Sequence, residues 1–285
     1  MKKLQLSFSG GETSAYMTQW CLSNLKNEYE MVVVFANTGE EREETLEFVK
    51  KCDEHFGFNT VWVEAVIHHE KGKGVTHKIV DFDSASRNGE PFEEMIKKYS
   101  IPNQAYPHCT RSLKTDPMLA YMRDGLGWND YYTAIGIRLD EFDRMNPNAE
   151  KNKYLYPLVD NRITKKHVNA FWSKMPFRLE LKGYEGNCKA CWKKSDRKLY
   201  TLALENEALF YNMIKWEEKY YGEHPEKPAF YFYRKDRSAK QIIHEAKTKN
   251  FRPAKDDSLD TSIQKDMFDP ELDVGLGCSE TCEPF

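Results

Sequence analysis

One segment limits what this chain can fold into more than any other: residues 4–17, LQLSFSGGETSAYM. Its apolar run, LQLSF, suits a buried first strand. The chain then turns through Gly10 and Gly11 into a helical pattern that starts at Thr13 and lasts to about residue 24. A strand that passes through paired glycines into a helix N-terminus makes an anion site. The glycines let the backbone approach a ligand, and the helix dipole with its unpaired N–H groups favours negative charge. Ser7, Ser9, Thr13 and Ser14 set hydroxyls around the same point. No lysine follows the glycines, so this is not the GxxxxGK[ST] loop, and the three-glycine spacing of a dinucleotide fingerprint is missing.

Helix and strand patterns alternate through the first half. Residues 31–36, MVVVFA, form a continuous apolar run suited to a parallel strand buried on both faces. Thr38 and Glu41 have the spacing of a capping box, which predicts a helix to about residue 55. Residues 60–66 alternate as a third strand, and 131–136, YYTAIG, read as a fourth. Between them, 68–88 reads as a polar loop, and 91–99 and 113–123 as helices. Beyond, 164–174 and 238–248 read as helices, 195–221 as one long charged helix, and 230–234 as a short aromatic strand or extended piece. The expectation is an α/β fold: a doubly wound, mainly parallel sheet with flanking helices, plus a smaller helical C-terminal region with a cysteine cluster. A boundary near 180 divides 1–180, the nucleotide-binding domain, from 181–285. In such sheets ligands sit at the carboxyl ends of the strands near the switch in strand order. There the glycine loop, residues 35–39 and residues 136–144 are expected to converge.

A net charge of −3 supplies no global attraction to nucleic acid or membrane. No run reaches the ~18 apolar residues of a membrane span, and MKKLQLSFSGG has no cleavable apolar core. These features predict a soluble cytoplasmic protein with no membrane partner, in which seven cysteines serve metal binding or catalysis rather than disulfides.

Three further segments carry chemistry. GIRLDEFDR, 136–144, places Gly136, Arg138, Asp140, Glu141 and Arg144 just past a strand, and arginine's planar fork suits phosphate or sulfate. PHCTRSLKTDP, 107–117, sets Cys109 beside His108, Arg111 and Lys114, cations that favour a thiolate. Cys188-x-x-Cys191 is a metal half-site by spacing, and Cys278-x-x-x-Cys282 offers the other half. Four thiolates suit either Zn²⁺ or a [4Fe–4S] cluster. Cys21 and Cys52 fall in helices as packing residues.

SFSGGETS resembles the SGGxxS loop of the adenine-nucleotide alpha-hydrolase (PP-loop) superfamily, which holds the ATP pyrophosphatases and the phosphoadenosine phosphosulfate (PAPS) reductases. FANTGEEREETLEFV, PHCTRSLKTDP, GIRLDEFDR, YPLVDNRITKKHVNAFW and GYEGNCKACWKKS resemble segments of the PAPS reductases. Thr110 stands where their paired cysteine would be, and their ECGLH-type tail is absent. The resemblance implies an enzyme that binds an adenine sulfonucleotide, PAPS or its dephospho form. Ser9, Gly10, Gly11, Thr13 and Ser14 would cradle phosphate or sulfate, Asn37 and Thr38 would lie near the adenosine, and Arg138 and Arg144 would bind the anionic end. It implies a cluster on Cys109, Cys188, Cys191 and a tail cysteine. Cys278 is then the nearest candidate nucleophile, with Cys109 as a second, and a thiol reductant such as thioredoxin would supply electrons. The alternative is ATP with Mg²⁺ in an adenylating sulfurtransferase acting on a small molecule or, under that reading alone, a nucleic acid. Thr13 replaces the aspartate of its SGGxDS loop, with Glu12 one position earlier and Glu40, Glu41 or Asp140 left to hold the metal. A third reading is a non-catalytic nucleotide-binding module. A homo-oligomer is compatible with each.

Overall fold

The computed structural model describes residues 1–222 and 230–259. Strand β1 (Lys2–Ser7) leads to α1 (Glu12–Asn24), β2 (Tyr29–Asn37) to α2 (Glu43–Phe56), and β3 (Val61–Ile67) turns back into β4 (Val75–Val80) before α3 (Glu90–Tyr99). Residues 108–125 are one helical stretch in which α4 (His108–Thr110) and α5 (Asp116–Ala120) alternate with wider π turns, Arg111–Thr115 and Tyr121–Gly125. Then come β5 (Tyr132–Ala134), a 3₁₀ segment Leu139–Arg144, β6 (Tyr154–Leu155), α6 (Pro157–Asp160) and α7 (Lys165–Trp172). Helices α8 (Asp196–Glu205), α9 (Tyr211–Tyr220) and α10 (Ala239–Thr248) complete the described chain.

The six strands form one sheet in the order β4-β3-β2-β1-β5-β6. Every pair is parallel except β3–β4. Side chains alternate across a strand, so each of the central strands feeds two cores. Leu4, Leu6, Val33 and Phe35 join Met17, Leu46, Val49 and Trp172 on the face covered by α1, α2 and α7. Val34, Ala36 and Val63 pack on Met118 and Met122 on the opposite face. Each buried side chain of this size contributes about 1.5–3 kcal/mol relative to exposure. A further cluster joins Phe92 and Met95 of α3 to Trp192, Leu199, Trp216 and Ile242, so the helices beyond 180 pack against α3 and the end of β3. Strand order reverses at β1, with β2 on one side and β5 on the other. The switch point therefore lies between the ends of β1 and β5.

Four local expectations need correction. Residues 75–80 form β4 within the stretch read as loop; the strand is an edge, half-buried at most, so VTHKIV lacks an apolar face. The stretch 195–221 breaks at Asn206, whose side chain accepts from the Ala208 N–H at 3.1 Å and restarts the chain in a 3₁₀ turn. Of the two alternatives for 230–234, the strand does not form: Tyr233 pairs with Arg237 in a single bridge, while Phe232 and Tyr233 are buried in the core. The Thr38–Glu41 pair exists, with both the Thr38 N–H and hydroxyl donating to Glu41 Oε2 at 2.7 Å. It closes a turn rather than a helix start, because the Arg42 N–H is taken by the Asn187 carbonyl at 2.8 Å and α2 begins only at Glu43.

Candidate active site

The loop after β1 is built as an anion cradle needs. Gly10 has φ +82°, and a Cβ there would lie 2.6 Å from Thr45 Cγ2 and 3.1 Å from the Phe35 ring. Both facts require glycine. Gly11 is the N-cap of α1 and has no side chain to cap it. The Ser9 N–H and hydroxyl meet Ser14 Oγ at 3.2 and 2.9 Å, and Ser14 Oγ donates to the Gly11 carbonyl at 3.0 Å. Ser7 is buried and its Oγ has no partner.

The segment after β5 closes on this loop. A Cβ on Gly136 would lie 3.0 Å from Ser14 Cα, so the chain crosses the start of α1 at backbone contact. Arg138 NH1 donates to Thr13 Oγ1 at 3.0 Å, while the guanidinium also holds Asp140 at 3.0 Å and Glu141 at 3.4 Å. Arg144 pairs with Glu141 at 2.7 Å. Burial pushes the Asp140 carboxyl up, but the Arg138 charge and the Lys165 N–H outweigh it and hold the group below its usual range. Arg138 thus reaches the N-terminus of α1 with its fork oriented by Asp140 and Glu141, and Arg144 joins it through the shared Glu141.

Asn37 is fully buried and already engaged: its Nδ2 donates to Glu64 Oε1 and the Ser86 carbonyl, and its Oδ1 accepts from the Gly39 N–H. Arg111 is exposed and pairs with Asp116 at 3.6 Å. Glu12, next to the position of the ATP pyrophosphatase aspartate, is clamped by Arg178, with both guanidinium–carboxylate distances 3.0 Å.

Cys109, Cys188 and Cys191 line one cavity of about 40 Å³, together with Thr38, Glu40 and Lys114 and the apolar walls of Phe92, Leu113 and Phe232. Residues 40–42 pair with 187–189 like a short antiparallel ladder: the Lys189 N–H donates to the Glu40 carbonyl at 3.0 Å, and Glu41 bridges Cys188. The buried Glu41 carboxylate faces Lys114 at 3.4 Å and Cys188 Sγ at 3.9 Å. Burial pushes the Glu40 carboxyl up to about 7, against the Lys189 charge and an Asn212 hydrogen bond. Cys21 and Cys52 are buried in the core under α1 and α2, and burial pushes both thiols up.

Three cysteine residues on one cavity match the donor chemistry of Zn²⁺ or a [4Fe–4S] cluster. Among the described residues, however, no group of three His, Cys, Asp or Glu side chains is arranged to hold a metal ion. Cys278 and Cys282 lie outside the described residues. No described helix is long and apolar enough to cross a membrane.

Residues that the sequence did not single out tie the site together. Asn187 Nδ2 donates to the Ser9 carbonyl at 2.8 Å, which joins the cysteine segment to the glycine loop. Arg178 fixes Glu12 and also donates to the Ser258 carbonyl at 2.9 Å. Both are long-range contacts with no local signal. The one cue was the position of Asn187 immediately before the first cysteine of the CxxC pair.

The model of the phosphoadenosine phosphosulfate reductase domain matches residues 3–86, which span the glycine loop, β2, α2 and the β3–β4 hairpin. The chain is 30% identical over 287 residues to the "Uncharacterized nin region protein ORF290" of Escherichia phage lambda, covering 98% of this chain and 94% of that one. Two proteins of Methanocaldococcus jannaschii, "Uncharacterized protein MJ0066" and "Uncharacterized protein MJ0973", are each 26% identical over 61% and 56% of this chain, which spans 30% and 34% of their lengths. An α/β sheet with its switch point at the glycine loop, and Arg138 closing on the helix that follows that loop, agree with the matched model: the chain belongs to the phosphoadenosine phosphosulfate reductase family of the PP-loop superfamily.

Proposed function

We propose that this protein binds an adenine sulfonucleotide at the β1–α1 loop and transfers its sulfonate to a cysteine thiolate. The observation that carries the reading is the hydrogen bond from Asn187 to the Ser9 carbonyl, because it bolts a cysteine-lined cavity to an anion cradle. The first-turn N–H groups of α1, with the hydroxyls of Ser9, Thr13 and Ser14, bind the anionic groups of the ligand. Arg138 and Arg144 stabilise the charge that grows on the leaving phosphate.

In the chemical step a cysteine thiolate attacks the sulfonate sulfur. A sulfur–sulfur bond forms, the sulfur–oxygen bond breaks, and the adenosine phosphate leaves with the electron pair. A thiol reductant then attacks the S-sulfocysteine sulfur, forming a mixed disulfide and releasing sulfite. Cys278 is the first candidate for the nucleophile, with Cys109 on the cavity as the second. Cys188 and Cys191, with Cys109 and the tail cysteines, are the thiolates available to Zn²⁺ or a [4Fe–4S] cluster, which would supply fixed positive charge and rigidity.

Three of the carboxylates available to an ATP-bound Mg²⁺ have other partners: Glu12 holds Arg178, Glu41 faces Lys114, and Asp140 is held by Arg138. That favours the sulfonucleotide over ATP. Anaerobically purified protein is offered PAPS, its dephospho form and ATP separately with a thiol reductant. Sulfite with the matching adenosine phosphate is expected, and Cys278→Ala is expected to abolish it. AMP and pyrophosphate from ATP, without sulfite from either sulfonucleotide, would replace this reading with the adenylating one.

A further inference from the structure

The geometry points to Asn187 as the residue that recognises a hydrogen-bond donor on the nucleoside, either a ribose hydroxyl or the adenine amino group, rather than the anionic end of the ligand. The inference rests on the adenine-nucleotide reading above. Asn187 is 5% exposed, with two polar atoms paired and a third left over. Its carbonyl accepts from the Arg42 N–H at 2.8 Å, its Nδ2 donates to the Ser9 carbonyl at 2.8 Å, and its Oδ1 is buried with no hydrogen-bond partner.

The orientation of the carboxamide is fixed by chemistry. A carbonyl only accepts, so the side-chain nitrogen must face Ser9 and the oxygen must face away. Turning the amide over would set two acceptors against each other. The Oδ1 atom therefore has one need, an N–H or O–H donor. A buried acceptor left without one costs about 1–3 kcal/mol, and native structures retain few of them.

Ser9 belongs to the cradle expected to hold phosphate or sulfate, so the atom lacking a partner belongs to a residue bonded to the binding loop. Ionised phosphate and sulfate oxygens are acceptors and cannot satisfy it. On an adenine nucleotide the donors are the two ribose hydroxyls and the 6-amino group. The anionic groups are thus read by the N–H groups of α1 and by arginines, and a nucleoside donor by Asn187. Because Cys188 follows directly, that recognition also fixes the backbone that carries the cysteine pair.

The test is a calorimetric titration of the full-length protein with four probes: AMP, 2′-deoxy-AMP, 3′-deoxy-AMP and purine riboside monophosphate, which lacks the amino group. Wild type is expected to bind AMP and to bind one of the three analogues roughly tenfold more weakly. In Asn187→Ala that discrimination is expected to vanish, so that AMP and the analogue bind alike, whatever the variant does to overall affinity. Asn187→Ser serves where alanine does not yield folded protein. Equal wild-type binding of all four probes overturns the inference while leaving the nucleotide reading intact. So does discrimination that persists in the folded variant, since a purely structural residue would shift all four affinities together. Failure of wild type to bind AMP removes the nucleotide reading and this inference with it.

Discussion

Glu217 on α9 is 4% exposed and accepts two backbone N–H groups, from Phe232 at 3.1 Å and Ala239 at 2.8 Å. The first bond holds the segment whose Phe232 lines the cysteine cavity; the second meets the first residue of α10. Burial is the largest influence on its carboxyl and pushes it from 4.5 up to about 8, against both N–H donors. A carboxyl raised in the folded state binds its proton more tightly there than in the unfolded chain. Its contribution to stability is then fully present below pH 4.5 and is lost as pH rises through 8. At about 1.4 kcal/mol per unit, the full swing is on the order of 4–5 kcal/mol. Glu217→Gln removes the titration and, by facing one N–H with an amide NH₂, loses about 1 kcal/mol of hydrogen bonding at every pH. Urea unfolding from pH 5 to 9 is therefore expected to show wild type the more stable at pH 5 and the variant the more stable at pH 9. Comparing the two proteins cancels other titrations, such as that of Glu40. Parallel stability curves would refute the reasoning. So would a wild type that gains on the variant as pH rises, which would mean that the two N–H groups and the α10 N-terminus outweigh burial.

Other outcomes follow from the site. Gly10→Ala forces a side chain into φ +82° and against Thr45, and is expected to cost about 2–4 kcal/mol in thermal unfolding and to weaken nucleotide binding. Glu12→Gln removes the charge of the Arg178 pair and turns the second acceptor oxygen into a donor, while its Oε1 can still accept from the Leu179 N–H, and should lower the urea midpoint by the equivalent of about 1–3 kcal/mol. If Glu12 instead held a catalytic Mg²⁺, that substitution would leave stability unchanged and abolish ATP turnover.

The part of this architecture that local sequence specifies was legible. The run through Gly10 and Gly11, the apolar MVVVFA and the segment from Gly136 to Arg144 each declare their geometry within a few residues, and the sheet order then brings the first and last together. Strand β4 was not legible, because an edge strand that buries little needs no apolar alternation. The break between α8 and α9 had a visible cue in Asn206, a residue that caps helices more readily than it continues them. Asn37, which the resemblance sets near the adenosine, also bonds Glu64, Ser86 and Gly39, contacts that no local pattern announces. Asn187, Arg178 and the cavity shared by Cys109, Cys188 and Cys191 depend on contacts between residues tens of positions apart or more, which no periodicity encodes.

The most direct test of the account is AMP binding to wild type and to Arg138→Lys. Lysine keeps the charge but cannot hold Thr13 and Asp140 in one planar fork. Wild type is expected to bind AMP, and the variant, somewhat less stable for its lost bonds but folded at the assay temperature, is expected to bind it about tenfold more weakly. No AMP binding by wild type, or equal affinity in the two proteins, would contradict a nucleotide site between the ends of β1 and β5.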